Sequence, residues 1–167
     1  VDLAPQGLAA ARAVLRSAGV PAELHHGDLR DVALRPDDLV VSFGLVEHFT
    51  DPVEIVRHHG RFVRPGGTVA VTVPNYAHPA VVALLRRFCP ETLATHNTGV
   101  MSVEALHAAF AAAGLTHVRT GQAGGPLLPS SRVRPGAAGA ADRLVARGWN
   151  LCANNVSRGR PGPAVLW

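Results

Sequence analysis

VSFGLVEHFTDP, residues 41–52, begins as a buried strand and ends as a helix start, with an acid and an imidazole, Glu47 and His48, at the junction. Leu39 to Phe43 is an apolar, β-branched run interrupted only by Ser42, announced by the acidic turn Pro36-Asp37-Asp38, and reads as a strand. Asp51 as N-cap, Pro52 at the first helical position and Glu54 three residues after the cap predict a reciprocally capped helix. Val53, Ile55, Val56, Phe62 and Val63 supply its apolar side. A strand that hands the chain to a helix in this way is the repeating step of an α/β domain with a mostly parallel sheet.

Outward from that step the alternation continues. Val1-Asp2 reads as a strand end, and Pro5 to Ala18 as an Ala-rich helix stopped by Gly19. Ala22 to His26 reads as a short strand that closes at Gly27-Asp28. Arg64-Pro65-Gly66-Gly67 should end the central helix, and Thr68 to Val73 should form the next strand, stopped by Pro74. Pro79 to Phe88 and Ser102 to Ala113 read as helices, the second with Ser102 as N-cap and Gly114 as stop. Leu115 to Thr120 follows as an expected strand. Beyond Gly124 the chain is rich in Gly, Pro, Ser and Arg, with a helix expected near Ala140 to Leu151 and a last strand at Ala164 to Trp167. Two units are therefore expected, a domain over 1–123 and a continuation over 124–167.

Composition narrows the function classes. With 167 residues and 47% apolar content the chain can bury a substantial core. Its apolar runs are broken well before the roughly 18 residues of a membrane span, and a cytoplasmic location without membrane partners is expected. The 16 basic residues are all Arg against 12 acids, a net charge of +4, and only eight residues are aromatic. The arginines are scattered except for a looser cluster over 132–160, which argues against a dedicated nucleic-acid surface. Cys89 and Cys152 lack finger or CxxC spacing and read as buried thiols.

Ligands of open parallel sheets sit beyond the carboxyl ends of the strands. Three such ends carry polar groups here: Asp2, Asp28, and Ser42 to His48. The stretches VDLAPQGLAAAR, HHGDLRD, DDLVVSFGLVEHFTDP and FVRPGGTVAVTVPN resemble, in order and spacing, the class I S-adenosylmethionine-dependent methyltransferases, especially the small-molecule branch with a methyltransf-11-type domain. HNTGVMSVEALHAAFAAAGL is similar to that family's substrate-side insertion and following helix, so the likeness covers about residues 1–121.

The resemblance implies a Rossmann-like three-layer sandwich with strand order 3-2-1-4-5-7-6 and S-adenosyl-L-methionine as cofactor. It implies that Asp2 accepts from the ribose hydroxyls and that Asp28 accepts from the adenine amine. The Leu29 N–H would reach a ring nitrogen, and Leu3 would pack on the base. The backbone of Ser42, Phe43, Gly44 and Leu45 would line the methionine end. Methyl transfer to an O-, N- or C-acceptor on a small molecule would follow. In-line displacement at a sulfonium needs alignment and, for a hydroxyl or amine acceptor, often a base. His48 and His96 are the candidates, with Tyr76 behind them. His48 also fits a simpler role, bonded to Glu47 or to the backbone at the helix approach. No metal site is expected, because neighbouring side chains rarely face one ion and the spacing offers no third ligand beside Glu47 and His48.

The sequence departs from the family at its start. No two glycines stand in GxG spacing anywhere, and Val1 falls where strand two should be ending. Strand one and the glycine-rich loop are expected to be missing, leaving unpaired backbone in the centre of the sheet and an inactive or unstable chain. Ala4 stands where a capping Ser is common, which should weaken that helix end by roughly 1 kcal/mol. Two other readings compete: a non-catalytic fragment or pseudo-methyltransferase that binds a partner, and a nucleic-acid methylase. FGLVEH is not the Asp/Asn-Pro-Pro-aromatic motif of base-amino methylases, which counts against the latter. The oligomeric state is not legible.

Overall fold

The computed structural model describes residues 1–76, 78–123 and 165–166. Its elements run α1 (Pro5–Ser17), β1 (Asp37–Phe43), a 3-10 turn (Val46–His48), α2 (Pro52–Arg61), β2 (Val63–Pro74), α3 (Pro79–Phe88), α4 (Pro90–Ala94), a second 3-10 turn (Thr98–Val100), α5 (Val103–Ala112), β3 (Gln122–Ala123) and β4 (Val165–Leu166). The sheet order is β1-β2-β4-β3. β1 and β2 are parallel, while β4 runs antiparallel to both β2 and β3. This α/β arrangement corresponds to the 4-5-7-6 half of the expected order.

Local chemistry explains the helix starts. Asp51 accepts hydrogen bonds from the backbone N–H of Val53 (2.9 Å) and of Glu54 (3.1 Å), satisfying two of α2's orphan donors. The Glu54 carboxylate lies 3.7 Å from His58 one turn on, so the reciprocal half of the expected capping box is replaced by an i,i+4 pair. Ser102 Oγ accepts from the Ala105 N–H at 3.1 Å and caps α5. At α1 no side chain of the N-cap residue Ala4 bonds the helix, as expected, but Asp2 Oδ1 accepts from the Ala4 N–H at 2.7 Å. A side chain at Gly7 would collide with that carboxylate.

α2 and α5 pack together on one face of the β1–β2 pair. Ile55 and Val56 from α2, Leu106 and Phe110 from α5, and Val71 and Val73 from β2 form the core with Val46, Val100 and Met101. A second, smaller cluster gathers Val81, Leu85, Phe88 and Cys89 around α3. Cys89 is thus buried, whereas Cys152 lies outside the described residues.

Three expected elements differ. Arg64-Pro65-Gly66-Gly67 does not separate helix from strand but bulges out within β2: Asp37 pairs with Val63 while Leu39 already pairs with Thr68. Gly66 turns the chain at φ 82°, and Arg64 binds Asp38 and, at 3.9 Å, Asp37, so charge pins the bulge to β1. Ala22 to His26 contributes only a single parallel bridge, His26 to Asp2, because its partner segment is two residues long. Leu115 to Thr120 is not a strand; His117 takes a left-handed φ of 55°, which interrupts the extended run, and pairing begins at Gln122. Val165–Leu166 fulfils the last expected strand, and the expected helix near 140–151 lies outside the described residues.

Among the described residues nothing pairs with the outer edge of β1, where the family order places strand one. No helix among them is long and apolar enough to cross a membrane.

Candidate active site

The carboxyl end of β1 builds the site. Gly44 leaves the strand with φ 63°, a conformation that favours glycine, and a Cβ there would press to 3.3 Å from Glu47 Oε1. The reversal aims Val46 and Glu47 inward, to 0% and 1% exposure, and leaves His48 at the surface. Nothing else in the site is so costly as Glu47. Its Oε2 has no hydrogen-bond partner, and burial pushes its carboxyl above the ordinary range.

The segment between α4 and α5 closes over this turn. The Asn97 N–H donates to the Glu47 carbonyl at 2.6 Å, and Asn97 Nδ2 donates to the Phe49 carbonyl at 3.0 Å. Asn97 Oδ1 meanwhile accepts from the Gly99 N–H at 3.0 Å, fixing the second 3-10 turn. Held by this residue, His96 comes to the turn after β1. Its ring centroid lies 4.6 Å from that of His48 and 5.9 Å from that of Tyr76. Nδ1 of His48 bonds the Thr95 carbonyl at 3.0 Å, and Nδ1 of His96 bonds the Thr92 carbonyl.

One ligand atom from each of Glu47, His48 and His96 lies within 4.8 Å of the others. Sequence spacing had offered no third ligand, because His96 is brought in by tertiary contact across 48 residues. The two catalytic candidates therefore share one site, and Glu47 joins them. His48 also makes the backbone bond of its simpler reading.

The expected cofactor residues lie along the neighbouring turns. Ser42 is buried with an unpartnered Oγ, while Phe43 and Gly44 are open and Leu45 is half-buried. The Asp28 carboxylate is held by Arg30: Oδ1 accepts from the backbone N–H at 2.8 Å and from Nε at 3.0 Å, and Oδ2 from Nη2 at 2.6 Å. That pair holds the Asp28 carboxyl down to about 2. Arg30 also lies over the Phe49 ring at 5.4 Å, so the Asp28 turn is tied to the turn that carries His48. Leu29 is half-buried there, and Leu3 is 62% exposed beside Asp2. A hollow of about 310 Å³ between α1 and residues 20–24 shares no residue with this site.

The sequence profile of the methyltransferase-domain family matches residues 1–71, which hold Asp2, Asp28 and the Glu47-His48 turn. Over those residues the chain is similar to class I methyltransferase domains. It is similar to a Mycolicibacterium smegmatis protein assigned as an S-adenosylmethionine-dependent methyltransferase, 39% identical over 56 residues, or 32% of this chain and 21% of that protein. The fold is similar to a crystal structure from Galdieria sulphuraria assigned as a sarcosine dimethylglycine methyltransferase. The TM-score is 0.57 at 17% identity, over 93% of this chain and 58% of that one. The chain thus spans about a fifth and somewhat over half of the lengths of these two proteins. The cofactor these likenesses imply is S-adenosyl-L-methionine.

Proposed function

We propose that the chain transfers a methyl group from S-adenosylmethionine to a small-molecule acceptor. The cofactor lies along the strand ends from Asp2 and Leu3, past Asp28 and Leu29, to the backbone of Ser42, Phe43, Gly44 and Leu45. The acceptor meets the Glu47, His48 and His96 cluster. The observation that carries this reading is the convergence of both histidines on the turn after β1, beneath a segment that Asn97 ties down. Nδ1 of each ring bonds a backbone carbonyl, which only accepts, so Nε2 is the atom that would withdraw an acceptor proton. Asp2 and Asp28 already hold internal partners, but each carboxylate has about four acceptor positions, leaving room for a ribose or an amine.

A second reading, a domain that binds a partner without catalysis, draws support from the exposed apolar row Leu39, Val41 and Phe43. Calorimetry with S-adenosylmethionine separates the two. The methyltransferase reading expects a saturable signal that weakens about tenfold in Asp28→Ala, the order of one or two hydrogen bonds. No heat in the wild-type chain would leave the binding module standing.

A further inference from the structure

A carboxylate and two imidazoles gathered at one turn can do more than pass a proton. Glu47 is 1% exposed and keeps Oε2 without a hydrogen-bond partner, which is costly for a group that fills its acceptor sites so readily in water. A side chain so placed needs either its own proton or a cation beside it. His48 and His96 are the groups that approach it, and each donates Nδ1–H to a backbone carbonyl. That bond fixes the tautomer with the lone pair on Nε2 and orients the ring, as outer-shell carbonyls do for metal-bound histidines.

We propose that Glu47, His48 and His96 bind one divalent first-row transition ion, with zinc as the reference, and that the ion's open position takes the oxygen of a hydroxyl-bearing acceptor. Two nitrogens and one carboxylate oxygen suit such an ion better than calcium or magnesium, which prefer oxygen throughout. Ligands of a tetrahedral zinc stand about 3.4 Å apart, given bonds of roughly 2.0–2.2 Å. The observed span of up to 4.8 Å closes to that by a modest shift of the exposed His48. Three protein ligands leave a fourth position vacant, the mark of a reactive rather than a structural site.

This inference rests on the methyltransferase reading for its chemistry, with the ion replacing the two Nε2 lone pairs in activating the acceptor oxygen, although the binding itself does not. The acceptor's hydroxyl oxygen coordinates the ion, and its proton leaves to water. The resulting oxyanion attacks the sulfonium methyl carbon as the carbon–sulfur bond breaks. Its electron pair stays on sulfur, giving S-adenosylhomocysteine and a methyl ether with the ion's oxidation state unchanged.

The test is a titration of the chain with zinc chloride followed by calorimetry, and with cobalt followed by visible absorption. One equivalent should bind, and cobalt should give the d–d bands of a four- or five-coordinate site. His48→Ala, a surface change that should fold, and Glu47→Gln, close in shape to the wild type, should each weaken zinc by more than the roughly 10–100-fold that loss of an outer-shell partner costs. His107→Ala, on the exposed side of α5, should bind like the wild type. Absence of zinc binding, or binding equally strong in His48→Ala and Glu47→Gln, would overturn the proposal. S-adenosylmethionine is titrated separately into the metal-free chain. Zinc without cofactor keeps the ion site and removes the methyltransferase reading; cofactor without zinc does the reverse.

Discussion

The two faces of β1 have met opposite fates. In parallel pairing, register partners lie side by side, so Ser42 shares its face with Val71, which packs with Ile55, Val56, Leu106 and Phe110. The alternate residues Leu39, Val41 and Phe43 stand 56%, 43% and 77% exposed. Parallel strands are normally covered on both faces and read as near-continuous apolar runs, as LVVSF does apart from Ser42. The packed face thus anchors the site from behind, while the bare face keeps an apolar row that the described residues do not cover. The largest effects should follow that division. Leu106→Ala should cost about 2–5 kcal/mol, whereas Leu39→Ala should stay within about 0.5 kcal/mol, both by urea unfolding. A cost at Leu39 comparable to that at Leu106 would mean that the face is covered in solution and would break the comparison.

Behind the packed face, burial perturbs the titratable groups His59 and Glu47 in opposite directions. Desolvation holds the buried His59 ring below its ordinary 6.5, although its Nδ1 donates to the Ile55 carbonyl at 2.7 Å. Below that ordinary value the unfolded chain takes up a proton that folded His59 resists. Its contribution is therefore complete above pH 6.5 and lost as pH falls towards its folded value. Glu47 runs the other way: its folded value is raised, so its contribution is complete below its ordinary 4.5 and lost as pH rises through the folded value. In melting curves taken across pH, Glu47→Gln should gain on the wild type as pH rises, and His59→Leu should remove loss below pH 6.5. If Glu47→Gln gains nothing near neutrality in metal-free buffer, the carboxylate has a partner there and the packed face is less dry than its burial indicates.

How far the sequence revealed this division depended on the range of the interactions. Asp51 and Ser102 signalled their helices because a cap acts within three residues, and the run ending at Phe43 signalled β1 by its β-branched content. Arg64 to Gly67 misled because a Pro-Gly-Gly turn that ends a helix and one that bulges within a strand have the same local chemistry; pairing with Asp37 and Asp38 decides between them. His117's left-handed backbone erased an expected strand that composition alone favoured. In the site, His48 and His96 were each visible as polar residues beside apolar elements. Their meeting was not, since it rests on Asn97 bonding the Glu47 and Phe49 carbonyls from the far side of three helices and a strand. An Asn next to a His in a loop between helices was the available signal, and it pointed to a covering segment without saying what it covers.

The finest test of the two faces is Ser42, the polar residue that β1 buries on its packed side. Its neighbours in sequence, Val41 and Phe43, are apolar and exposed, so the strand presents its polarity inward and its hydrophobicity outward at the same end. A buried hydroxyl without a partner is a net cost, and Ser42→Ala should raise stability by up to about 1 kcal/mol. The cofactor reading assigns the backbone at this position to the methionine end, so the same variant should bind S-adenosylmethionine much as the wild type does. A stability gain with unchanged cofactor binding keeps the hydroxyl a passive occupant of the core. A stability loss would place a water on Oγ behind β1, and a selective loss of cofactor binding would move the ligand's contact from the main chain to this side chain.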